Sequence, residues 1–259
     1  MRPKHLKPVA DIVIPLICWT YYIPGFLLFF APAYLAAFVF SGNRERAWQK
    51  LNHLFFKIFF RLLQKITPGL SIQVADDVLS IRSAIIVSNH VSYLDPILLI
   101  SLFARQKTIV KRTFFKLPVF GWILKTSGYI PSALNGNPDM IRRIEDMGAY
   151  LASGGNLFIF PEGTRSRDGR IGRFNKSAFK IAANCNAPIY VIFIQNTDVL
   201  FPPGGFRFST CVPNAVRVEL IGRLAPDNQN FSVSEIADRA RTLMLQRHGR
   251  LIKGIKGEE

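Results

Sequence analysis

The first third of the chain is dominated by a long apolar run. No residue from 12 to 40 carries a formal charge, and one straight helix of that length would exceed the roughly 30 Å hydrocarbon core of a bilayer. Prolines at positions 15, 24 and 32 interrupt the run, and each removes a backbone donor and clashes with the preceding turn. The pattern therefore predicts either one tilted span or two short helices joined near Pro24-Gly25.

The charges on the two sides of this run favour the second arrangement. Basic residues both precede and follow it, namely Arg2, Lys4 and Lys7 before it and Arg44, Arg46 and Lys50 after it. Because basic flanks stay on the cytoplasmic side, both ends are expected there, and we predict a membrane-embedded helical hairpin. A cleaved signal peptide ending at Ala31-Pro32-Ala33 is the alternative, but its apolar run would be longer than the usual 7–15 residues.

A third helix is predicted over residues 48–66. One basic stripe recurs at every fourth position, and apolar side chains fill most of the remaining circumference. The stripe consists of His53, Lys57, Arg61 and Lys65. A narrow basic stripe on a broad apolar body indicates an interfacial helix whose cations reach lipid headgroups. The alternative is a core helix with one edge in water.

After Pro68-Gly69 the pattern changes to short β-branched runs that alternate with helical segments. Strands are predicted at residues 84–87, 107–110, 157–160, 189–195 and 216–221. Helices are predicted at residues 96–103, 140–151, 175–183 and 233–252. This alternation predicts an α/β fold, with a mixed, largely buried sheet flanked by helices. We expect membrane-anchoring helices in residues 1–66 and a catalytic domain in residues 67–259.

Composition narrows the choice of partners. The 259 residues include 33 Lys and Arg against 17 Asp and Glu, a formal charge of +16. This excess favours anionic partners such as lipid surfaces, nucleic acid, acidic carrier proteins or phosphorylated substrates. A nucleic-acid module is disfavoured by the long uncharged run and by the lack of a zinc-finger or RNP-like motif.

The cysteines and histidines do not indicate a metal or a disulfide scaffold. Cys18, Cys185 and Cys211 are odd in number and form no CxxC, and the four histidines form no HExxH. We therefore expect no metal, and a reducing, cytosol-facing location.

His90 and Asp95 form the first candidate chemical cluster. His90 follows the predicted strand at residues 84–87, and a five-residue offset in a regular helix would place the two side chains on different faces. The chain must therefore turn between them, and Pro96 supports a helix start with Asp95 near its N-cap. His90 could then act as a general base on a substrate hydroxyl, with Asp95 fixing its tautomer. The alternative is an ordinary turn histidine and an ordinary capping aspartate.

A second cluster follows the predicted strand at residues 157–160. Gly163 permits close backbone approach, Thr164 offers a hydroxyl, and Arg165 can bind a phosphate with two hydrogen bonds. Glu162 could orient Arg165 or contact hydroxyl groups of an acceptor. Because α/β proteins commonly bind ligands at strand ends, the cluster predicts an anion-binding loop.

The two clusters together resemble the glycerophospholipid acyltransferase family, typified by 1-acyl-glycerol-3-phosphate acyltransferase. The resemblance rests on Asn89-His90-x₄-Asp95 followed by Phe160-Pro161-Glu162-Gly163-Thr164-Arg165-Ser166. Lys111 with Leu117-Pro118, and Ala187-Pro188-Ile189, are similar to two further blocks of that family. The resemblance implies His90 and Asp95 as catalytic residues, and a substrate-binding set of Glu162, Gly163, Thr164, Arg165, Lys111 and Pro188.

The same resemblance implies transfer of a fatty acyl group onto a lysophospholipid hydroxyl, foremost that of 1-acyl-glycerol-3-phosphate, giving phosphatidic acid. The donor would be a thioester of coenzyme A or acyl carrier protein, with no further cofactor. We expect a membrane location, in a bacterial inner membrane with the site facing the cytoplasm.

One departure keeps the identity of the acceptor open. The family usually carries an arginine where this chain has Pro131-Ser132-Ala133, and that arginine is implicated in holding the acceptor phosphate. Another lyso-lipid, such as an amino-acid-derived one, is the alternative acceptor. A non-catalytic membrane scaffold and a basic nucleic-acid-binding protein are the alternatives from other classes.

Overall fold

The computed structural model describes residues 7–132, 140–166, 168–202, 212–225 and 232–256. Arg2, Lys4, Ala133 and Cys211 therefore lie outside the described residues. The chain divides into two compact units. The first comprises Met1–Gln73, Ser92–Pro131 and Gln195–Arg217, and the second Val74–Val91, Ser132–Ile194 and Val218–Glu259.

The architecture is an α/β fold with a seven-stranded sheet and flanking helices. The strands are β1 Leu70–Val74, β2 Ile85–Ser88, β3 Gln106–Val110, β4 Ile130–Pro131, β5 Asn156–Ile159, β6 Ile189–Gln195 and β7 Asn214–Leu224. The α-helices are α1 Lys7–Thr20, α2 Ala31–Phe40, α3 Arg44–Ile66, α4 Asp76–Leu79, α5 Leu94–Leu102, α6 Phe120–Thr126, α7 Met140–Ala152, α8 Ser177–Asn184, α9 Thr197–Leu200 and α10 Val233–Lys256. A π-helix spans Tyr21–Phe30, and a 3₁₀ helix spans Arg112–Lys116.

The core of the second unit is a set of parallel strands. β2 lies between β5 and β6, with Ile85 opposite both Leu157 and Ile189. Every residue of β2 and β5 is buried, because helices cover both faces of such a sheet and its strands read as continuous apolar runs. α8 packs against β2 and also against α7 and α10. The carboxyl ends of these parallel strands therefore lie along the same edge.

The predicted strands and helices after residue 67 are confirmed within a few residues, and α5 begins at Leu94 where Pro96 was predicted. Two strands were not predicted. β1 lies beside the start of β7, where the Asn214 N–H donates to the Gly69 carbonyl at 3.0 Å. β4 has only two residues and pairs with β3. β4 is too short to leave a periodic signal, whereas β1 has the sequence Leu70-Ser71-Ile72-Gln73-Val74, an alternation of apolar and polar residues that was overlooked.

The prediction of two short helices joined near Pro24-Gly25 is wrong, and a different helical hairpin is present in the first unit. α1, the π-helix and α2 follow one another without a break from Lys7 to Phe40. The wider i→i+5 bonding of the π-helix, as in the Ala31 N–H to Phe26 carbonyl bond, takes Pro24 into the helix instead of ending it. The chain reverses at residues 41–43, and α3 is the second arm of the hairpin.

Aromatic and polar contacts join the two arms. The Tyr21 hydroxyl donates to the Phe55 carbonyl at 2.6 Å, and the Tyr34 hydroxyl donates to the Asn52 side-chain oxygen at 2.5 Å. The Phe30 and Phe55 rings lie 4.9 Å apart, edge to face. Since Tyr21 meets Phe55 and Tyr34 meets Asn52, the arms are antiparallel.

More of the surface of α3 is buried than we predicted for a helix that lies at a lipid interface. Its buried residues include Trp48, Phe59 and Leu63, and the helix also packs against α5. His53, the first member of the predicted basic stripe, has its Nδ1 atom 3.2 Å from the Ile100 carbonyl. Burial lowers the pKa of His53, and the hydrogen bond to Ile100 partly offsets this effect. His53 therefore packs on α5 as a largely neutral group, which leaves Lys57, Arg61 and Lys65 as the cationic part of the stripe.

One helix, Ala10–Phe40, is long and apolar enough to cross a membrane by its length and composition alone. This 31-residue segment is the only one that meets these criteria among the residues that the structure describes. Many of its large apolar side chains are exposed, including Leu28, Phe29 and Phe40.

Candidate active site

In the second unit, the residue before His90 is bonded to the neighbouring strand. Asn89 is buried, and its side-chain N–H donates to the Ile194 carbonyl at 2.8 Å. The Ile194 N–H donates back to the Asn89 side-chain oxygen, also at 2.8 Å. This reciprocal pair fixes the end of β2 beside the end of β6. The only indication of these hydrogen bonds in the sequence was that Asn89 directly precedes His90.

The loop at residues 160–166 meets His90 at three points. The His90 imidazole stacks on the Phe160 ring, with centroids 4.3 Å apart and 26° between the planes. The His90 N–H donates to Glu162 Oε1 at 3.3 Å, and its carbonyl accepts from the Ser166 N–H at 2.8 Å. The structure thus brings together the histidine and the predicted anion-binding loop, which are far apart along the chain.

Glu162 has a structural role that the sequence did not indicate. Its Oε1 atom accepts from the His90 N–H, and its Oε2 atom accepts from the Gly172 N–H at 2.9 Å. Each carboxylate oxygen therefore binds a backbone amide. Such charge-assisted bonds are stronger than neutral ones. Glu162 connects the backbone at His90 to the backbone at Gly172.

A tight turn at Gly163 forms the tip of the loop. The Gly163 N–H donates to the Phe160 carbonyl at 3.0 Å, which closes a tight turn. Gly163 has a φ of +69°, a left-handed conformation that favours glycine. Gly163 and Thr164 are exposed, and Arg165 is half-buried. Further exposed cations follow in the same unit, at Arg170, Arg173, Lys176 and Lys180.

In the first unit, Asp95 is fully buried and its carboxylate is held on both oxygens. Oδ2 accepts from the Ser92 N–H at 2.7 Å, and Oδ1 accepts from the Thr197 hydroxyl at 2.5 Å. The Asp95 N–H donates back to the Ser92 carbonyl at 3.2 Å, which is the turn that the His90–Asp95 spacing required. Asp95 lies in the first turn of α5, two residues after the N-cap Tyr93, which agrees with its predicted place near the helix start.

The sequence did not predict Thr197 or its neighbour Asp198 as partners of Asp95. Thr197 lies 102 residues from Asp95 along the chain, and no local pattern marks it. Burial raises the pKa of the Asp198 carboxyl, and the nearby Asp95 charge raises it further. Ser92 completes the arrangement by donating from its hydroxyl to the Phe201 carbonyl at 3.1 Å.

The remaining predicted site residues are Pro188 and Lys111. Pro188 precedes β6, and its carbonyl accepts from the Ile85 N–H at 3.0 Å. Because β2 and β6 are parallel, this contact is at their amino ends, whereas His90 follows the carboxyl end of β2. The proline therefore does not line the surroundings of His90. Lys111 belongs to the first unit, where it is exposed and precedes the 3₁₀ helix.

In the part of the chain that the structure describes, no three His, Cys, Asp or Glu side chains are grouped as metal ligands would be.

Known proteins match the segment of the chain that contains both motifs. Residues 71–195 match the family model described as Acyltransferase. The matched segment is just under half of the chain. Over 118 residues the chain is 38% identical to the chloroplastic 1-acyl-sn-glycerol-3-phosphate acyltransferase BAT2 of Brassica napus, an alignment that covers 46% of this chain and 34% of that protein. Over 121 residues it is 36% identical to the chloroplastic 1-acyl-sn-glycerol-3-phosphate acyltransferase LPAT1 of Arabidopsis thaliana, covering 47% and 34%. The chain thus spans about a third of the length of these two relatives.

The fold agrees over nearly the whole chain. The crystal structure of the 1-acyl-sn-glycerophosphate (LPA) acyltransferase PlsC from Thermotoga maritima superimposes with a TM-score of 0.71 at 22% identity. The match covers 94% of this chain and 97% of that one. At this level of identity the match shows a common fold.

Proposed function

We propose that this protein is a membrane-associated O-acyltransferase that acylates the free hydroxyl of a lysophospholipid, foremost 1-acyl-glycerol-3-phosphate, to give phosphatidic acid. The observation that carries the proposal is the attachment of His90 to the loop of Glu162, Gly163 and Arg165. A base and an anion-binding loop at one strand edge suit a phosphorylated alcohol. The names of the plant relatives support the same acceptor.

In the proposed reaction, His90 accepts the proton of the acceptor hydroxyl as its oxygen attacks the thioester carbonyl carbon. The C–S bond then breaks, and the imidazolium returns the proton to the departing thiolate, so that an ester and a free thiol are formed. Asp95 is proposed to orient the imidazole and stabilise its charged form, as the third member of a catalytic triad does. The motif spacing supports this role, and so does the fixed, buried carboxylate.

Arg165 is proposed to hold the acceptor phosphate, with Gly163 allowing close backbone approach. The donor is proposed to be a thioester of coenzyme A or of acyl carrier protein. Both donors are anionic, and the exposed cations after Arg165 would attract either of them.

Membrane attachment is proposed to occur through the helical hairpin of residues 7–66, on the cytoplasmic leaflet of a bacterial inner membrane. Support comes from the exposed apolar side chains of Ala10–Phe40 and from the basic residues at the start of α3. An acceptor that resides in a bilayer would then diffuse to an enzyme that is fixed at the same surface.

The decisive experiment uses the purified full-length protein with a panel of lyso-lipids and both thioester donors, with thiol release and ester formation as readouts. We expect His90-dependent transfer to lysophosphatidic acid. The panel should contain amino-acid-derived lyso-lipids, since Pro131 and Ser132 stand where the family usually has an arginine. Failure of the folded protein to acylate any acceptor with either donor would contradict the proposal.

A further inference from the structure

A short segment of the first unit exposes an unusual concentration of large apolar side chains. Five of them, all between 43% and 59% exposed, lie within nine residues: Phe114, Leu117, Val119, Phe120 and Trp122. We refer to these five residues as the apolar ridge. Scattered exposed apolar residues are ordinary, but a contiguous group of this kind marks a surface that contacts something other than water.

The ridge is held in shape by its own backbone. The Gly121 N–H donates to the Leu117 carbonyl at 2.8 Å, and the Leu117 N–H donates to the Phe114 carbonyl at 3.3 Å. A Cβ atom at Gly121 would lie 2.3 Å from the Phe115 carbonyl oxygen, so only glycine fits this close approach. Val119 has a φ of +58°, which a β-branched residue rarely adopts. The backbone thus keeps Val119 exposed at a conformational cost.

Cations flank the ridge, and acidic side chains are absent from it. Lys111, Arg112, Lys116 and Lys125 are all exposed, and the sequence contains no Asp or Glu from residue 111 to residue 132. Exposed aromatic and aliphatic groups between lysines and arginines are typical of segments that lie at a lipid interface. The charge complements anionic headgroups.

The ridge is continuous with the apolar helix of the same unit. The Trp122 ring lies 4.6 Å from the Trp48 ring and 5.2 Å from the Phe38 ring. Phe38 belongs to α2, and the Arg44 guanidinium lies 4.4 Å over its ring. The ridge therefore adjoins the carboxyl end of the helix that is proposed to be embedded in the membrane.

We propose that the apolar ridge is a second lipid-contacting surface, which inserts among the headgroups of an anionic leaflet while the flanking cations bind lipid phosphates. This inference rests on the membrane association proposed above. The hairpin would hold the protein at the membrane, and the ridge would set how the first unit meets the lipid surface. A lipid occupant is favoured over an acidic protein because the ridge continues directly into the apolar helix.

The proposal can be tested by labelling the full-length protein at one position at a time. With Cys18, Cys185 and Cys211 replaced by alanine, Leu117→Cys carries an environment-sensitive fluorophore. Leu79→Cys, at a position 41% exposed on α4, is the matched control. Each protein is reconstituted into phosphatidylglycerol vesicles containing a nitroxide-labelled lipid. We expect a blue shift and strong quenching at position 117 and neither at position 79.

A third label separates this inference from the proposed membrane attachment. Phe29 is 75% exposed on the apolar helix, and a Phe29→Cys label should also be quenched by the nitroxide lipid. Quenching at position 29 without quenching at position 117 would overturn the ridge proposal and leave the hairpin intact. Absence of quenching at both positions would overturn both.

A functional variant provides an independent measurement. Phe120→Glu should reduce turnover of a vesicle-resident acceptor and leave turnover of a monomeric short-chain acceptor unchanged. Leu245→Glu, on α10 at 39% exposure, is the matched control and should change neither. Unchanged vesicle turnover, or equal losses on both acceptors, would speak against the ridge as a lipid contact.

Discussion

At the scale of single residues, the backbone of His90 is restrained on both sides of its α-carbon. Its N–H is bonded to Glu162 and its carbonyl to the Ser166 N–H, while Asn89 is bonded to Ile194. A general base works only when its ring nitrogen is within hydrogen-bond reach of the substrate proton. The loop that is proposed to bind the acceptor is therefore also the loop that positions the base.

Replacement of His90 tests the proposed base directly. His90→Ala should reduce acyl transfer by roughly 10²–10⁴-fold or more, because the proton acceptor is removed. The measurement is kcat for ester formation by purified protein whose folding is verified by circular dichroism. His248→Ala, on α10, is the control and should retain activity. Near-normal transfer by folded His90→Ala would rule out the assignment.

Glu162→Gln tests positioning against acceptor binding. An amide is neutral and has one acceptor oxygen instead of two. The N–H groups of His90 and Gly172 therefore both lose a charged partner, and one of them is left without an acceptor. A hydrogen bond to a charged group contributes about 1.5–3 kcal/mol, so kcat should fall about tenfold or more with little change in acceptor KM.

The control for this variant is Glu235→Gln. Glu235 also accepts from a backbone N–H, that of Ser232, but is exposed at the start of α10. Its replacement should leave both kinetic constants unchanged. A raised acceptor KM with unchanged kcat in Glu162→Gln would instead indicate that Glu162 binds the acceptor.

Arg165→Lys tests the proposed phosphate contact. The ammonium cannot form the two parallel hydrogen bonds of a guanidinium, so acceptor KM should rise roughly tenfold for a phosphorylated acceptor. The KM for the thioester donor should change much less. Arg170→Lys, at an exposed residue paired with Asp168, is the control. An unchanged acceptor KM would assign Arg165 to structure or to the donor.

At the scale of elements, α3 connects the hairpin to the rest of the first unit through buried polar groups. Asn52 accepts from the Tyr34 hydroxyl and donates to the Ser127 hydroxyl at 2.9 Å and to the Tyr129 oxygen at 3.3 Å. Tyr129 in turn donates to Gln106 at 2.9 Å. Burial raises the pKa of Tyr129, so its hydroxyl remains a neutral donor at physiological pH. This network links α2, α3 and the residues beside β3 and β4.

Asn52→Leu should destabilise the protein by about 2 kcal/mol or more. The change leaves the Tyr34 hydroxyl without its acceptor and removes the donor to Ser127, and each orphaned buried group costs about 1–3 kcal/mol. The measurement is denaturant unfolding in detergent micelles. Gln64→Leu, at an exposed position of the same helix, should stay within about 0.5 kcal/mol of the wild type. Equal stabilities for the two variants would show that the network is energetically neutral.

At the scale of the whole molecule, the proposed membrane attachment combines apolar burial with charge. Each buried CH₂ contributes roughly 0.8 kcal/mol to the free energy of membrane binding. Each Lys or Arg near anionic headgroups contributes roughly 1 kcal/mol. The apolar helix exposes many large side chains, whereas only Lys57, Arg61 and Lys65 remain as cations of the α3 stripe. Apolar burial should therefore dominate.

This balance predicts that washing membranes with high salt leaves the full-length protein bound and that detergent releases it. The measurement is the fraction of protein recovered in the supernatant after sedimentation, with a peripheral electrostatic binder as the control. Release by salt alone would indicate a purely electrostatic attachment. Deletion of residues 1–66 would be a poor test of membrane attachment, because α3 contributes the fully buried Trp48, Phe59 and Leu63 to the first unit.

Much of this protein was determined by local sequence. The alternation of β-branched runs with helical patterns predicted β2, β5 and β6 because parallel strands buried on both faces must be continuously apolar. The pairing of His90-x₄-Asp95 with Glu162-Gly163-Thr164-Arg165 predicted the resemblance to acyltransferases and the edge of the sheet at which His90 meets the loop of residues 160–166. Each strand and each motif is recognised from a few consecutive residues of the chain.

Other features were decided only by the tertiary structure, because they depend on contacts between segments that are distant along the chain. The reversal of the hairpin at residues 41–43 follows from packing of α3 on the apolar helix, which overrode the proline signal at Pro24. Thr197 reaches Asp95 across 102 residues, and Glu162 reaches the His90 amide across 72. Local periodicity carries no information about such partners, because hydrogen bonds between distant segments form only once the strands and helices have packed in register.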